Sequence, residues 1–198
     1  MSTKKLVELA MLTGMGIALH AVEGQIPVPL SLPGAKLGLA NSVALATLRE
    51  FSLKDAITVN LLRTILGGLI SGSFLTFGFF LSFSGALAST LFMWLAMDPR
   101  LGLSCSGVSV VGAAIHNLAQ LTTAMMITRE PHIFVYLPYL LLYALPAGLF
   151  NGVLADKLGF AIRSIGRWDS NGEQDTERSN TPHGYLPSNS ERPRSGKQ

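Results

Sequence analysis

The sequence predicts an all-α, polytopic membrane protein: a six-helix transmembrane bundle with a disordered C-terminal tail. Of its 198 residues, 48% are hydrophobic and only 14% are charged. The mean hydropathy is +0.40, and such a composition is typical of chains that cross a bilayer. The apolar residues also form six runs, with most basic residues between them. These observations favour one compact membrane domain.

The six apolar segments are delimited by clusters of turn and charged residues. A helix needs about 20 residues to cross the hydrocarbon core, so the second and third segments are the weakest candidates for complete spans. Pro138 and Pro146 lie in the sixth segment and predict kinks, which neighbouring helices can accommodate. The predicted segments are residues 6–22, 36–48, 55–71, 74–97, 107–127 and 133–154.

The distribution of charge predicts the orientation. If the N-terminus is cytoplasmic, the inner connections carry most of the basic residues, as the positive-inside rule requires. Both termini are then cytoplasmic. Residues 1–167 form the membrane domain, and residues 168–198, rich in Ser, Asn, Pro and mixed charge, are expected to be a disordered cytoplasmic tail. The inner basic residues are Lys4, Lys5, Arg49, Lys54, Arg100, Lys157, Arg163 and Arg167, against Lys36 and Arg129 outside.

A proline-rich stretch between the first two segments predicts a stiff loop at the outer end of the bundle. Pro27, Pro29 and Pro33 fix φ and remove backbone donors, so this stretch cannot be helical. Gly34 frees the backbone before the next helix. Because the loop is uncharged and lies between two helices that carry polar residues, we expect it to be a lid over a polar pocket.

Polar side chains within the apolar segments are the candidates for binding a substrate. A charged side chain at bilayer depth costs at least about 2.5–3.5 kcal/mol, so Arg63 should meet either a ligand or Glu23 in an internal ion pair. His116 and Gln120 share a helix face, and with Asn117 they form a polar seam that either binds a ligand or joins helices. The candidate substrate-binding residues are His20, Glu23, Lys36, Asn41, Asn60, Arg63, His116, Asn117 and Gln120.

The charges of this set favour an anionic or aromatic substrate. Arg63, Lys36 and two histidines face a single acidic residue, Glu23. A quinone precursor or a flavin-like molecule would suit such a pocket. The lipid bilayer and a small molecule are therefore the expected partners, and the pI near 9.2 reflects basic residues beside apolar segments rather than nucleic-acid binding.

Several motifs of enzymes are missing from the sequence. It has no P-loop, no Gly-rich nucleotide fingerprint and no aspartate-rich motif that would hold a diphosphate through magnesium. The single cysteine, Cys105, excludes an internal disulfide and a cysteine-based metal site. We therefore expect no catalytic residues, no metal and no cofactor, and a chain that cannot hydrolyse ATP by itself.

Small residues repeat every four positions on the first helix, at Ala10, Gly14 and Ala18. Such a stripe lets another helix approach closely, and the partner is either another protein or a helix of the same bundle. Gly68 and Gly72 form a similar pair at the end of the third segment, where packing inside the bundle is preferred.

Five motifs resemble those of the Gx transporter family, bacterial membrane proteins often labelled heptaprenyl diphosphate synthase component I. The similarity covers about residues 4–160, and the loop motif is the most specific part. The motifs are A-L-H-x-x-E-x-x-I-P-x-P at residues 18–29, P-G-A-K-L-G-L-A-N at 33–41, L-L-R at 61–63, G-V-S-V-x-G-A at 107–113 and H-N-x-x-Q at 116–120. The family often has Gly-Thr-Phe after the third helix, whereas this chain has Ser73, which keeps the hydroxyl group.

The family is in turn similar to the S-components of energy-coupling-factor (ECF) transporters, six-helix proteins that capture vitamins. The resemblance implies a substrate-binding subunit in the bacterial cytoplasmic (inner) membrane, with the loop after the first helix as a cap. It also implies that small residues of the first helix meet a transmembrane coupling subunit, which works with ATPases. The alternative is an accessory membrane subunit in prenyl diphosphate or prenyl-quinone synthesis. A purely structural subunit leaves the buried polar residues unexplained.

Overall fold

The structure, a computed structural model, describes residues 3–23 and 38–179, with side chains as far as Ser164. Within these ranges all regular structure is helical, and no strand occurs. Two 3-10 helices, Pro99–Leu101 and Pro131–Tyr136, precede the last two α-helices. The α-helices are α1 (Thr3–Glu23), α2 (Asn41–Glu50), α3 (Leu53–Ile70), α4 (Phe77–Ala96), α5 (Cys105–Thr128) and α6 (Leu137–Ser179).

Four of these helical stretches are long and apolar enough to cross a bilayer. They are α1, α4, α5 and the stretch Pro131–Ser164, which includes most of the apolar part of α6. By contrast α2 has 10 residues and is about 15 Å long, half the hydrocarbon thickness of about 30 Å. The all-helical class is therefore confirmed, with four candidate membrane spans among the described residues, whereas six complete spans remain a prediction.

The outward faces of the long helices are apolar. A soluble monomer rarely exposes a large continuous apolar surface, and a bilayer would cover this one. The large hydrophobic side chains that α4 and α6 expose include Phe80, Leu91, Phe92, Trp94, Leu95, Tyr139, Leu141, Leu142, Leu145, Leu149, Phe150, Val153 and Phe160.

Two helix starts differ from the sequence prediction. The second helix was expected from Lys36, but Gly38 has φ +75°, a left-handed conformation that interrupts a helix, and α2 begins at Asn41. The sixth helix begins at Leu137 instead of residue 133. Pro138 therefore lies in the first turn, where its missing N–H breaks no helical hydrogen bond, and the kink predicted there is not required.

The last helix extends beyond the predicted domain boundary. The chain divides into two compact units, Met1–Ala161 and Ile162–Gln198. In the second unit the described residues, 162–179, are the final turns of α6. The helix thus passes residue 168, where the tail was predicted to start, and the disorder of the tail stays a prediction.

Serine side chains fix the starts of α3 and α5. Ser52 and Asp55 form a capping box at α3, in which the serine hydroxyl accepts from the Asp55 N–H and the carboxylate accepts from the Ser52 N–H. Ser104 caps α5 by accepting from the Gly107 N–H at 3.1 Å. The Asp55 carboxylate also pairs with Lys5 at 2.8 Å, which joins the beginning of α1 to that of α3.

The helices α5 and α6 cross at very short range because α6 has glycines at the crossing. A Cβ atom built at Gly148 would lie 2.6 Å from Val110 Cα, and one at Gly152 would lie 2.6 Å from Ser106 Cα. Two glycines four residues apart are the usual way for membrane helices to come this close. Farther along the same two helices, Asn117 of α5 donates to the Leu140 carbonyl of α6.

Candidate functional site

A hydrogen-bond network joins α3 to α4. Arg63 is 4% exposed, and it donates from Nε at 2.9 Å and from Nη2 to the Asn60 Oδ1 atom. Asn60 Nδ2 in turn donates to the Ala86 carbonyl at 2.8 Å and to Thr90 Oγ1 at 2.6 Å. The Arg63 stem lies over Gly16 of α1, where a Cβ would come within 2.6 Å of Arg63 Cδ. We call Asn60, Arg63 and Thr90 the α3–α4 network.

Gly38 is a junction between α1, α2 and α6. The Glu23 carboxylate at the end of α1 accepts hydrogen bonds from the N–H groups of Gly38 and Leu39, the latter at 3.2 Å. Asn151 Nδ2 of α6 donates to the Gly38 carbonyl at 3.1 Å. Glu23 also interacts electrostatically with Arg63. The two residues that flank positions 24–37 are therefore held together.

The two buried histidines each lie against a glycine. A Cβ built at Gly85 of α4 would be 2.8–3.0 Å from three atoms of the His116 imidazole, and one built at Gly67 of α3 would be 3.2 Å from His20 Cδ2. His116 also lies close to the junction, since its Cδ2 atom is 3.8 Å from the Cβ position of Gly38. The absence of side chains at Gly67 and Gly85 creates the room for both rings.

Three buried polar side chains near His116 have no hydrogen-bond partner within the described part of the chain. They are Asn41 at the start of α2, Ser82 on α4 and Gln120 on α5, at 3%, 7% and 3% exposure. For both amides neither the nitrogen nor the oxygen is paired among the described residues, and the same holds for the Ser82 hydroxyl. We call these three residues the unsatisfied cluster.

Asn117, one residue after His116, behaves differently. Its Nδ2 atom donates to the Leu140 carbonyl of α6 at 2.9 Å, and the side chain is 6% exposed. This is the interhelical hydrogen bond that the sequence offered as the alternative to ligand binding. The seam on α5 thus contains an amide that joins helices, at Asn117, and an amide with unused hydrogen-bonding groups, at Gln120.

The family model for heptaprenyl diphosphate synthase component I matches residues 12–158. The chain belongs to this family. A search of curated proteins and a search of solved structures each gave no match. The matched range contains every described residue of the α3–α4 network, the Gly38 junction and the unsatisfied cluster.

In this heptaprenyl diphosphate synthase component I family member, the structure brings together most of the predicted substrate-binding residues. Asn60 and Arg63 form one group, while Glu23, Asn41 and His116 border Gly38. Gln120 lies one turn from His116, and His20 packs on Gly67. The predicted lid residues and one predicted binding residue lie outside the described residues: Pro27, Pro29, Pro33, Gly34 and Lys36.

The small-residue stripe of α1 faces outward in this family member. Ala10, Gly14 and Ala18 are exposed, and a Cβ at Gly14 would meet nothing within 4 Å among the described residues. Gly68 instead packs inside the bundle, since its Cβ position is 3.0 Å from Phe79. The prediction of internal packing agrees with this contact at Gly68 but is wrong for Gly72, which is exposed and whose Cβ position meets nothing within 4 Å among the described residues. A partner for α1 stays a prediction.

Three residues of the site did not stand out in the sequence. Ser82 and Asn151 are single polar residues in apolar segments, and Gly85 is one glycine among many. The only available signal was spacing: Ser82 and Gly85 are three residues apart, so they share a face of α4. Asn151 lies next to Gly152, whose close contact with α5 sets the depth of α6 in the bundle.

Proposed function

We propose that this protein is the substrate-binding membrane subunit of an ECF-like uptake transporter for a small, vitamin-like compound. The observation that carries the proposal is the unsatisfied cluster of Asn41, Ser82 and Gln120. Leaving a buried polar group unpaired costs about 1–3 kcal/mol. Three such side chains in one region therefore destabilise the unliganded bundle, and a bound substrate would supply the hydrogen-bond partners that they lack.

A purely structural role does not explain this cluster as well. Polar residues that only join helices are paired with one another or with backbone carbonyls, as Asn117 is with Leu140. Gln120 is on the same helix one turn away and has no such partner in the described ranges. The contrast within one helix favours a ligand at Gln120.

Uptake requires energy that this chain is not expected to supply. Because it has no nucleotide-binding motif, we propose that a transmembrane coupling subunit and ATPases of the ECF type act as partners. The exposed stripe Ala10, Gly14 and Ala18 is the proposed contact surface. We propose that the protein lies in the bacterial cytoplasmic membrane with both termini in the cytoplasm, on the basis of its basic connections, and that its pocket opens outward.

The binding role is tested by identifying small molecules that co-purify with the full chain in lipid nanodiscs. Mass spectrometry should detect a compound that is retained by the wild type and lost from Gln120→Leu. Leu118→Ala is the matched control, since Leu118 lies on the same helix but is 38% exposed, and it should retain the compound. Equal retention by Gln120→Leu and the wild type, or no compound above the level of empty nanodiscs, would contradict the proposal.

The coupling role is tested with Gly14→Leu. The space around Gly14 is open, so the variant should fold normally while a bulky side chain blocks helix contact. Co-purification of a coupling subunit from the native membrane should fall several-fold. Undiminished co-purification would remove the α1 stripe from the interface.

A second candidate is an accessory membrane subunit of prenyl diphosphate or prenyl-quinone synthesis, which the description of the matching family favours. The chain would then pass a lipid precursor to a separate synthase, because it lacks the aspartate-rich motifs for diphosphate chemistry. The test is whether the purified chain binds a soluble polyprenyl diphosphate synthase and changes its product length. A synthase that does not bind the chain, and whose product length does not change in its presence, would exclude this candidate.

A further inference from the structure

The members of the unsatisfied cluster lie at one level of the bundle. Thr123 of α5 donates to Ser84 of α4 at 2.7 Å, and His116 lies against Gly85, so the two helices run antiparallel. Gln120 is one turn after His116 and Ser82 about one turn before Gly85. Because the helices are antiparallel, moving from His116 forward to Gln120 on α5 and from Gly85 back to Ser82 on α4 leads towards the same end of the bundle. Gln120 and Ser82 are therefore opposite each other.

Asn41 reaches the same region from α2. A Cβ at Gly38 would be 2.9 Å from Asn41 Nδ2 and 3.8 Å from His116 Cδ2, so Asn41 and His116 flank the same point. The cluster therefore combines amides from α2 and α5 with a hydroxyl from α4, all around the His116 imidazole. Helices that are distant in sequence contribute to it, so no local helix requirement explains the cluster.

The described site has no excess of charge. Among the buried side chains that the structure describes, the acidic and strongly basic ones are Glu23 and Arg63, and their charges of −1 and +1 sum to zero. They interact with each other electrostatically, and Arg63 already donates twice to Asn60. Counting Glu23 and Arg63 alone, the described part of the site offers an anionic ligand no surplus positive charge.

The hydrogen-bonding groups that remain available at the cluster are uncharged, and they include both donors and acceptors. Each carboxamide offers a pair of N–H donors beside a carbonyl acceptor, and Asn or Gln side chains bind tightly to a ligand edge that has an acceptor and a donor side by side. A carboxylate or phosphate only accepts, so its negative charge would oppose the amide oxygens. A quinone also only accepts and would leave those oxygens unpaired.

From this we infer that the cluster binds a neutral, flat molecule with an imide or cis-amide edge, in which a carbonyl and an N–H are adjacent. The inference rests on the proposed binding function and narrows its substrate class. It replaces the anionic ligand expected from the sequence with an uncharged one, and it keeps the aromatic, flavin-like option. Asn41 and Gln120 would bind the edge of the molecule, and Ser82 would supply an additional hydrogen bond.

The test compares three flat aromatic probes by equilibrium dialysis against the full chain in nanodiscs. Lumichrome carries a neutral imide edge, menadione carries carbonyl acceptors alone, and 1-hydroxy-2-naphthoate is an anionic acceptor. Lumichrome should bind at least about tenfold more tightly than either of the others, since an unmet donor or acceptor costs about 1–3 kcal/mol. Tighter binding of menadione or the naphthoate would overturn the inference.

Two variants show whether the probe sits at the cluster. Gln120→Leu should weaken lumichrome binding about tenfold or more and leave the unfolding temperature unchanged or higher. Asn117→Leu, which breaks a bond to Leu140, should lower the unfolding temperature and keep the affinity. Ser82→Ala is the milder change and should weaken binding about threefold. The opposite pattern for Gln120 and Asn117 would overturn the inference.

The experiments distinguish a failure of this inference from a failure of the proposed binding function. If no probe binds, or if the anionic naphthoate binds more tightly than lumichrome, the inference is wrong. A compound that co-purifies with the wild type and is lost from Gln120→Leu would still support a binding subunit. If nothing co-purifies either, both proposals fall.

Discussion

The α3–α4 network and the unsatisfied cluster are both buried and polar, yet only in the network is the amide fully hydrogen-bonded. In the network, Asn60 uses its amide oxygen for Arg63 and its amide nitrogen for Ala86 and Thr90. In the cluster, Gln120 uses neither atom within the described part of the chain. The difference shows that burial of a polar residue in an apolar bundle does not itself indicate its role. The number of its hydrogen-bonding groups that have partners indicates its role.

Arg63 illustrates this point most clearly. A charged residue at mid-helix is the strongest functional signal in an apolar sequence, and the sequence left a ligand and an ion pair with Glu23 as alternatives. The structure gives Arg63 an internal partner in Asn60 and an electrostatic interaction with Glu23. We therefore interpret Arg63 as part of the scaffold that holds α3, and the neutral cluster as the stronger candidate for a binding site.

The largest expected effect comes from breaking the network at Asn60. Asn60→Leu leaves the buried Arg63 without its hydrogen-bond acceptor, and removing one partner of a buried charge costs roughly 3–5 kcal/mol. SDS-induced unfolding in mixed micelles measures the free energy of unfolding. Gln120→Leu is the matched amide-to-leucine control and should change this free energy by less than about 1 kcal/mol. Equal losses would erase the distinction between the two regions.

A steric change to the network should have the next largest effect. In Gly16→Ala the new methyl group would need space that Arg63 Cδ occupies, 2.6 Å from the Cβ position. Overpacking of this kind costs about 1–3 kcal/mol. Gly14→Ala on the same helix meets nothing within 4 Å among the described residues, so it should be neutral or stabilise by about 0.5–1 kcal/mol. The free energy of unfolding of the two variants, measured under the same conditions, checks this prediction. A Gly16→Ala variant as stable as the wild type would show that Arg63 can move freely.

The corresponding change at the cluster should act on binding as well as on stability. Gly85→Ala would displace the His116 imidazole from the centre of the site and reduce the affinity for the co-purified compound about tenfold, or about 1.4 kcal/mol. Gly112→Ala is the control, because its methyl group would press on Met93 and disturb packing alone. Isothermal titration of both variants checks this. A larger loss of affinity in Gly112→Ala would argue against His116 as a ligand-facing residue.

The smallest effects concern two hydroxyl groups on α4. Thr90→Val removes an acceptor of Asn60 and should lower the free energy of unfolding by about 1 kcal/mol. Ser82→Ala removes a hydroxyl with no partner among the described residues and should be neutral or slightly stabilising in the absence of substrate. Thermal unfolding with and without the co-purified compound separates the two. A destabilised Ser82→Ala without substrate would show that Ser82 is part of the packing.

The long helices were predictable from the sequence because hydrophobic runs carry their own signal. The starts of α2 and α6 were not, since they depend on the left-handed Gly38 and on the position of Pro138 in a first turn. Both are local conformations that composition does not reveal. The pair Gly148 and Gly152 has the same spacing as the stripe on α1, and it was visible in the sequence but not recognised as a helix contact.

Within the candidate site, residue types were predictable but their states of pairing were not. His116, Asn117 and Gln120 were identified together, because three polar residues occur within two turns of an apolar helix. Whether an amide is paired depends on what the next helix presents at that height, such as the Leu140 carbonyl beside Asn117. Ser82 and Asn151 were missed because a single small or neutral polar residue is common in membrane helices.

The Gly38 junction has a consequence for how this chain tolerates a change in the length of residues 24–37. Glu23 and Gly38 are joined by a hydrogen bond, so the two anchor points of residues 24–37 stay fixed whatever lies between them. Each doubling in length of a flexible connection costs only about 0.6 kcal/mol. Lengthening or shortening this segment while Glu23 and Gly38 are kept should therefore change the free energy of unfolding only slightly.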